Sequence, residues 1–226
     1  MNDDILIYDG LVPIPLEDMF FREVSGIGRF WQDYPFDKSG GVDSYTQQRI
    51  SNDILRKIAS PTLIALVYAG CPNDNDTVFI PEYYNIAMII MELFSAKSGI
   101  NINKIVRIKI NKQIQSTDLS FDENCCNDIH SDMIFPHKTL LYYFNDSDGD
   151  TMLMNERYID NDVNIYPDLK ARMLELGREL EINTTLLTRV TPKKGRILCF
   201  DGARYHAPSN PIKSKFRYVL NINFTV

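Results

Sequence analysis

Apolar positions along this chain follow two rhythms, and the change between them falls near residue 104. Before it the spacing is helical. Ile50, Ile54 and Ile58 recur every four residues and predict a helix that ends before Pro61. Pro81 suits a first helical position and Gly99 suits a stop. Between them Tyr84, Met88 and Met91 share a face, while Ile86, Ile89 and Ile90 make the segment apolar almost all round. Such a helix is expected to be buried against a sheet.

From residue 104 the period becomes two. Val106, Ile108 and Ile110 alternate with Ile105, Arg107 and Lys109, which predicts a half-buried strand. Leu140 to Phe144 is rich in residues that favour pleated surfaces. It runs into Asn145-Asp146-Ser147-Asp148-Gly149-Asp150, a dense turn signal, after which Thr151 to Met154 is expected to return as a hairpin partner. Arg196 to Phe200 is a further strand, closed by Asp201-Gly202, and Phe216 to Phe224 alternates over nine residues. Between Glu156 and Thr191 the rhythm reverts: Leu169, Met173, Leu176 and Leu180 predict an inserted amphipathic helix, read as an elaboration in preference to a lid. Many short strands with turn-rich connections predict a mainly β, α+β fold, a double-sheet jelly roll braced by helices. The expectation is one domain over 1–226. Within it, 1–103 would be helix-rich flanking support and 104–226 the core, with the helical insert at about 156–190.

Composition adds exclusions. With 226 residues, 44% hydrophobic and 24% charged, the chain can fold without disulfides or a structural metal. A net charge of -6 argues against non-specific binding to nucleic acid or an anionic membrane. The acidic start Met1-Asn2-Asp3-Asp4 is unlike a secretory signal, Asn2 is not a myristoylation start, and the longest apolar run is too short for a bilayer. Cys71, Cys125, Cys126 and Cys199 lack zinc-finger or C-x-x-C spacing, and Cys125-Cys126 reads as a pair of free thiols. The expected compartment is the cytoplasm.

Only three histidines occur, so their placement is informative. His130 and Asp132 form H-x-D, and on an extended segment residues two apart project to one side. His206, beyond the next strand, can supply a third ligand. Two imidazoles and a carboxylate on one triangular face form the facial triad of non-haem iron(II) oxygenases. An isolated H-x-D is a weak signal, however, and on its own it is better explained by satisfied histidines near turns. The last strand changes the balance. One face is wholly apolar (Phe216, Tyr218, Leu220, Ile222, Phe224), and the other presents Arg217, Val219, Asn221 and Asn223. A solvated edge would account for those polar groups. Yet Arg217 follows His206 by only eleven positions, and a guanidinium beside a metal ligand can grip a carboxylate with paired hydrogen bonds.

Taken together, four stretches resemble one family. They are His130-Ser131-Asp132; Thr139-Leu140-Leu141-Tyr142-Tyr143-Phe144-Asn145 into Asp148-Gly149-Asp150-Thr151; Pro192-Lys193-Lys194-Gly195-Arg196 through Phe200-Asp201-Gly202; and His206 with Arg217. The family is the prolyl-4-hydroxylase-like branch of the 2-oxoglutarate/iron(II) oxygenases, in the small form found in bacteria and their phages. The resemblance covers roughly residues 104–226 and is loose before that. It implies a double-stranded β-helix, cupin-like, with iron(II) on His130, Asp132 and His206. It also implies 2-oxoglutarate held through its C5 carboxylate by Arg217 and Tyr142, with Asn221 near the cosubstrate. The implied activity is a dioxygenase: O2 and 2-oxoglutarate yield succinate, carbon dioxide and a hydroxylated substrate, with ascorbate as an auxiliary reductant. Collagen-type members carry Lys where Arg217 stands, so a collagen-like substrate is not supported. For a phage protein the compartment would be the host cytoplasm.

Other readings stay open at this level. A cupin-type metal-binding module, or a metal-dependent hydrolase or isomerase, would use the same fold and ligands. A small-molecule or peptide substrate is expected, with no membrane partner. Lys193, Lys194, Arg196, Arg204, Lys213 and Lys215 could line a nucleic-acid groove but more often form a solvated rim. His137 is expected to play an ordinary surface role, and Tyr205 and Trp31 to be packed aromatics. Asn145 to Asp150 fails the EF-hand pattern, since the sixth-place glycine would put Phe144 first and Asn155 twelfth.

Overall fold

The computed structural model describes residues 4–26, 32–33, 49–51, 56–57, 61–70, 76–115, 122–133, 135–158 and 181–226. The early elements are β1 (Ile5–Tyr8), α1 (Ile14–Ser25), β2 (Gln32–Asp33), β3 (Arg49–Ser51), β4 (Arg56–Lys57), β5 (Thr62–Ala69), β6 (Thr77–Val78) and α2 (Pro81–Ser98). Then come β7 (Lys104–Ile114), β8 (Cys125–Cys126), β9 (Lys138–Tyr143), β10 (Thr151–Arg157), β11 (Glu181–Asn183) and β12 (Leu186–Val190). The chain closes with β13 (Ile197–Asp201), β14 (Arg204–Pro208) and β15 (Phe216–Thr225). The large sheet runs β1-β13-β9-β15-β7-β5-β2, with β6 on β5, and its pairings are antiparallel. A smaller sheet runs β12-β10-β14.

The period of two in β15 sets the architecture. Its apolar face packs with Leu140, Tyr142 and Phe144 of β9 and its extension, Ile108 and Ile110 of β7, and the buried faces of both helices. Phe94 of α2 meets Phe224 edge-on with ring centroids 6.2 Å apart and Tyr8 at 6.1 Å. The opposite face of the large sheet carries Leu141, Tyr143, Leu198, Phe200 and Val219, which share a second cluster with Leu153 and Val190 of the smaller sheet. The two sheets thus close on each other as a double-stranded β-helix, with helices covering the outer side only.

The helix at 81–98 forms as its punctuation requires. Pro81 occupies the first turn, and Gly99, at φ 73°, donates its N–H to the Ser95 carbonyl in a left-handed cap. Its buried face is Tyr83, Ile86, Ala87, Ile90, Met91 and Phe94, while Ile89 remains 40% exposed, so the helix is one-sided and not apolar all round.

Two expectations fail. Ile50 lies in strand β3, and Arg56–Lys57 is strand β4, so the helix drawn through Ile50, Ile54 and Ile58 is not formed; Ile54 and Ile58 lie outside the described residues. The four-residue spacing was overridden by parallel pairing of β3 with β11 and of β4 with β8. Thr151 to Met154 does not return beside β9 either. It crosses to the smaller sheet, between β12 and β14. The cause lies in the turn, where the Asp148 carboxylate accepts the N–H groups of Ile212, Lys213 and Ser214 at 2.7–3.1 Å. Those bonds tie the turn to the β14–β15 connection and lead the chain to the facing sheet. The inserted helix expected at Leu169 to Leu180, and Trp31 and Cys71, lie outside the described residues.

Candidate functional site

His130 sits on a single antiparallel bridge with His206 of β14, their backbones exchanging N–H···O bonds of 3.0 and 2.9 Å. The bridge sets the two imidazoles side by side, ring centroids 4.6 Å apart. Ser131, between the H-x-D ligands, turns the other way and donates to the carbonyls of Met133 and Gly202, which holds the tripeptide extended. Asp132 therefore points to the same side as His130. Its carboxylate lies 3.9 Å from His130 Nε2 and 3.6 Å from His206 Nε2, and the three ligand atoms fall within 4.8 Å of one another.

The chemistry of the three groups suits a cation. His130 Nδ1 faces the Asp128 carbonyl at 2.8 Å and His206 Nδ1 the Arg204 carbonyl at 3.0 Å. A carbonyl can only accept, so each Nδ1 carries the proton and each Nε2 lone pair is left for a metal. Burial, reinforced by the neighbouring His206, pushes His130 down to about 4 despite Asp132, so it is neutral near pH 7. Burial alone would raise Asp132, but Lys109, Arg107 and His206 outweigh it and hold the carboxyl well below the usual range. Two imidazoles whose Nε2 atoms face the ionised Asp132 carboxylate, with edges a cation can span using bonds of roughly 2.0–2.2 Å after small side-chain movements, fit the metal expected from the triad.

Asp132 is held by more donors than the H-x-D motif discloses. Arg107 donates to its Oδ1 at 2.6 Å and Lys109 at 3.4 Å. Asn223, Asn221 and Thr139 donate to Oδ2 at 3.0, 3.2 and 3.3 Å. All are brought in by register. Asn223 pairs with Arg107 and Asn221 with Lys109 on β7, while Asn223 pairs with Thr139 on β9. The polar face of β15 is thus buried against a second polar face, and the solvated-edge reading is wrong. Burial and the Arg107 charge push Lys109 down to about 8, against the opposing pull of Asp132.

Farther along β15 lies Arg217, 3% exposed. Its Nη1 donates to Gln113 Oε1 and its Nη2 to Thr151 Oγ1, each at 2.8 Å, and it lies over the Tyr143 ring at 5.7 Å. Its Nε has no partner among the described residues. Tyr143 and Thr151 share a 2.7 Å hydroxyl contact. Tyr142 is not here. It faces the helices, edge-on to Phe20 and Phe144, with its hydroxyl unpaired among the described residues. The tyrosine beside Arg217 is Tyr143, because Val219, not Leu220, lies opposite it and shares its face. Asn221 lines the cavity and touches the triad through Asp132.

A cavity open to solvent joins these groups. His130 and His206 lie on its wall with Lys109, Asn111, Gln113, Arg217, Asn221, Leu141 and Val219, and Thr62, Ile64, Asn127 and Asp128 line it as well. Sequence reasoning missed Arg107, Lys109, Gln113, Thr139, Tyr143, Thr151 and Asn223. The signal available was a second long strand, β7, with polar residues at every other position through Gln113. His137, expected at the surface, is buried against Gly202 with Nδ1 on the Phe135 carbonyl, and it is outside the triad. Tyr205 is a packed core aromatic. Lys194, Arg196 and Arg204 answer Asp18, Asp9 and Asp4.

No protein-family model matches the sequence, and neither does any curated protein. Solved structures do match along the whole chain. An oxidoreductase of the 2OG-Fe(II) oxygenase family from Burkholderia pseudomallei superposes with a TM-score of 0.60 over 99% of this chain and 86% of that one, at 9% identity. A prolyl hydroxylase from Trichoplax adhaerens, in complex with a hypoxia inducible factor peptide fragment, gives 0.53 over 99% and 84%, at 12% identity. HygX from Streptomyces hygroscopicus, with nickel and 2-oxoglutarate bound, gives 0.51 over 98% and 82%, at 13% identity. The chain has the fold of the 2-oxoglutarate/iron(II) oxygenases. Within that fold it carries the His-x-Asp…His triad.

Proposed function

We propose that this protein is an iron(II)- and 2-oxoglutarate-dependent dioxygenase that hydroxylates a small organic molecule or a peptide. The observation that supports this best is that one cavity contains both the triad histidines and a buried arginine. Asp132 and the Nε2 atoms of His130 and His206 would hold the metal. Arg217, with two N–H groups braced by Gln113 and Thr151, keeps three of its five donors for the distal carboxylate of the cosubstrate. Tyr143 flanks that end, and Leu141 and Val219 form an apolar wall that keeps water from it. Bound iron would supply the activation of dioxygen coupled to decarboxylation of 2-oxoglutarate to succinate and carbon dioxide. A nucleic-acid substrate has less support, since three of the six basic residues, Lys194, Arg196 and Arg204, are paired with acidic partners.

The test is succinate formation from 2-oxoglutarate by purified protein with iron(II) and ascorbate in air. Slow conversion without added substrate is expected, and it should be lost in His206→Ala. No conversion and no 2-oxoglutarate binding to the iron-loaded protein, or turnover of a hydrolysable substrate under nitrogen with zinc or manganese, would refute the proposal.

A further inference from the structure

Arg107 and Lys109 both reach the same oxygen of Asp132, but they are not equivalent. Arg107 donates to Asp132 Oδ1 at 2.6 Å and through its Nε to Asn223 Oδ1 at 3.0 Å, and it is not among the cavity's lining residues. Asp132 Oδ2 is served by Asn221, Asn223 and Thr139. The carboxylate is thus supported without Lys109, whose contact is the long one at 3.4 Å. An ammonium has three hydrogens to donate. Among the described residues Asp132 is the one hydrogen-bond partner of Lys109, whose side chain is only 15% exposed and lines the cavity. A desolvated cation with spare donors on a cavity wall calls for an anion.

The register says where that anion would sit. On β7, Gln113 lies opposite Arg217, and Lys109 lies opposite Asn221 beside the triad. Residues 109 and 113 share a face and their Cα atoms are about 13 Å apart at roughly 3.3 Å per residue. Long side chains reaching in from both positions leave a gap suited to a short dicarboxylate. Resting on the reading of the site as a 2-oxoglutarate site, we propose that Lys109 holds the carboxylate of the 2-oxo-acid end. The cosubstrate is then gripped by a cation at each end, Lys109 near the metal and Arg217 at the far carboxylate.

A structural role for Lys109, as a mere counter-charge to Asp132, makes a different prediction. The test is anaerobic titration of the iron(II)-loaded protein with 2-oxoglutarate and, separately, with pyruvate, which has the 2-oxo acid but no second carboxylate. Binding is read from the visible metal-to-keto-acid absorbance, and iron(II) affinity is measured alone. Lys109→Met should weaken both acids about ten- to a hundred-fold, the worth of a charge-assisted hydrogen bond, while iron(II) affinity holds or rises. Lys109→Arg should recover much of the loss. Arg217→Met should weaken 2-oxoglutarate and leave pyruvate alone. Unchanged keto-acid affinity in Lys109→Met, or a matching loss of iron(II) affinity, would overturn the assignment. Failure of the wild-type protein to develop the absorbance with 2-oxoglutarate would sink the dioxygenase reading itself, and this assignment with it.

Discussion

Asp132 should matter to the fold before it matters to a metal. Replacing it with alanine leaves Arg107 and Lys109, 13% and 15% exposed, without the carboxylate that compensates them. Removing one partner of a buried ion pair typically costs about 3–5 kcal/mol, because the remaining charge is stranded. For a domain of this length that corresponds to a fall in Tm of roughly 6–20 °C. The assay is thermal and urea denaturation of metal-free protein in a chelator, so ligand loss cannot contribute. Adding Lys109→Met to Asp132→Ala removes one stranded charge and should restore part of the lost stability. The sign with pH follows from the depressed carboxyl. A carboxyl more acidic in the fold than when unfolded contributes stability fully above its unfolded value, near 4, and loses it as pH falls toward the folded value. The gap between wild type and Asp132→Ala should be flat between about pH 5 and 7, below the range where Lys109 loses its proton, and shrink below about pH 4. An Asp132→Ala protein that melts with wild type, or a double variant no more stable than the single, would refute the argument.

Three further outcomes follow from particular contacts. Tyr143→Phe removes the hydroxyl that braces Thr151 beside Arg217 and should raise KM for 2-oxoglutarate about five-fold in a succinate assay. Tyr142→Phe removes a buried hydroxyl on the helix side that has no partner among the described residues, and should leave KM alone with unchanged or higher Tm. Gly149→Ala would place a methyl 3.0 Å from Arg217 Cδ and from the Ser209 carbonyl; because the second is backbone, Arg217 must move, and 2-oxoglutarate affinity should drop while iron(II) affinity does not. His130 titrates lower in the fold than unfolded, so the metal-free protein should lose stability as pH falls from about 6.5 to about 4; His130→Gln should shrink that limb of the pH–stability curve, leaving the part owed to buried His137, which is pushed down in the same direction.

The site was half legible in the sequence. A triad whose members must be His, Asp and His leaves a mark in a chain with three histidines, and β15 announces its two faces by alternation. Pro81 and Gly99 bound their helix through backbone preferences written into those residues, a fixed helical φ without an N–H at the start and a left-handed φ at the stop. What could not be read is which polar face meets which. Arg107 and Lys109 alternate with isoleucines as they would on a solvated strand, and only the pairing of β7 with β15 buries them around Asp132. The choice between Tyr142 and Tyr143 is of the same kind. Neighbouring residues on a strand point to opposite faces, and a slip of one position exchanges them. Local sequence determines the period, whereas its phase relative to the cavity belongs to the register between strands distant along the chain.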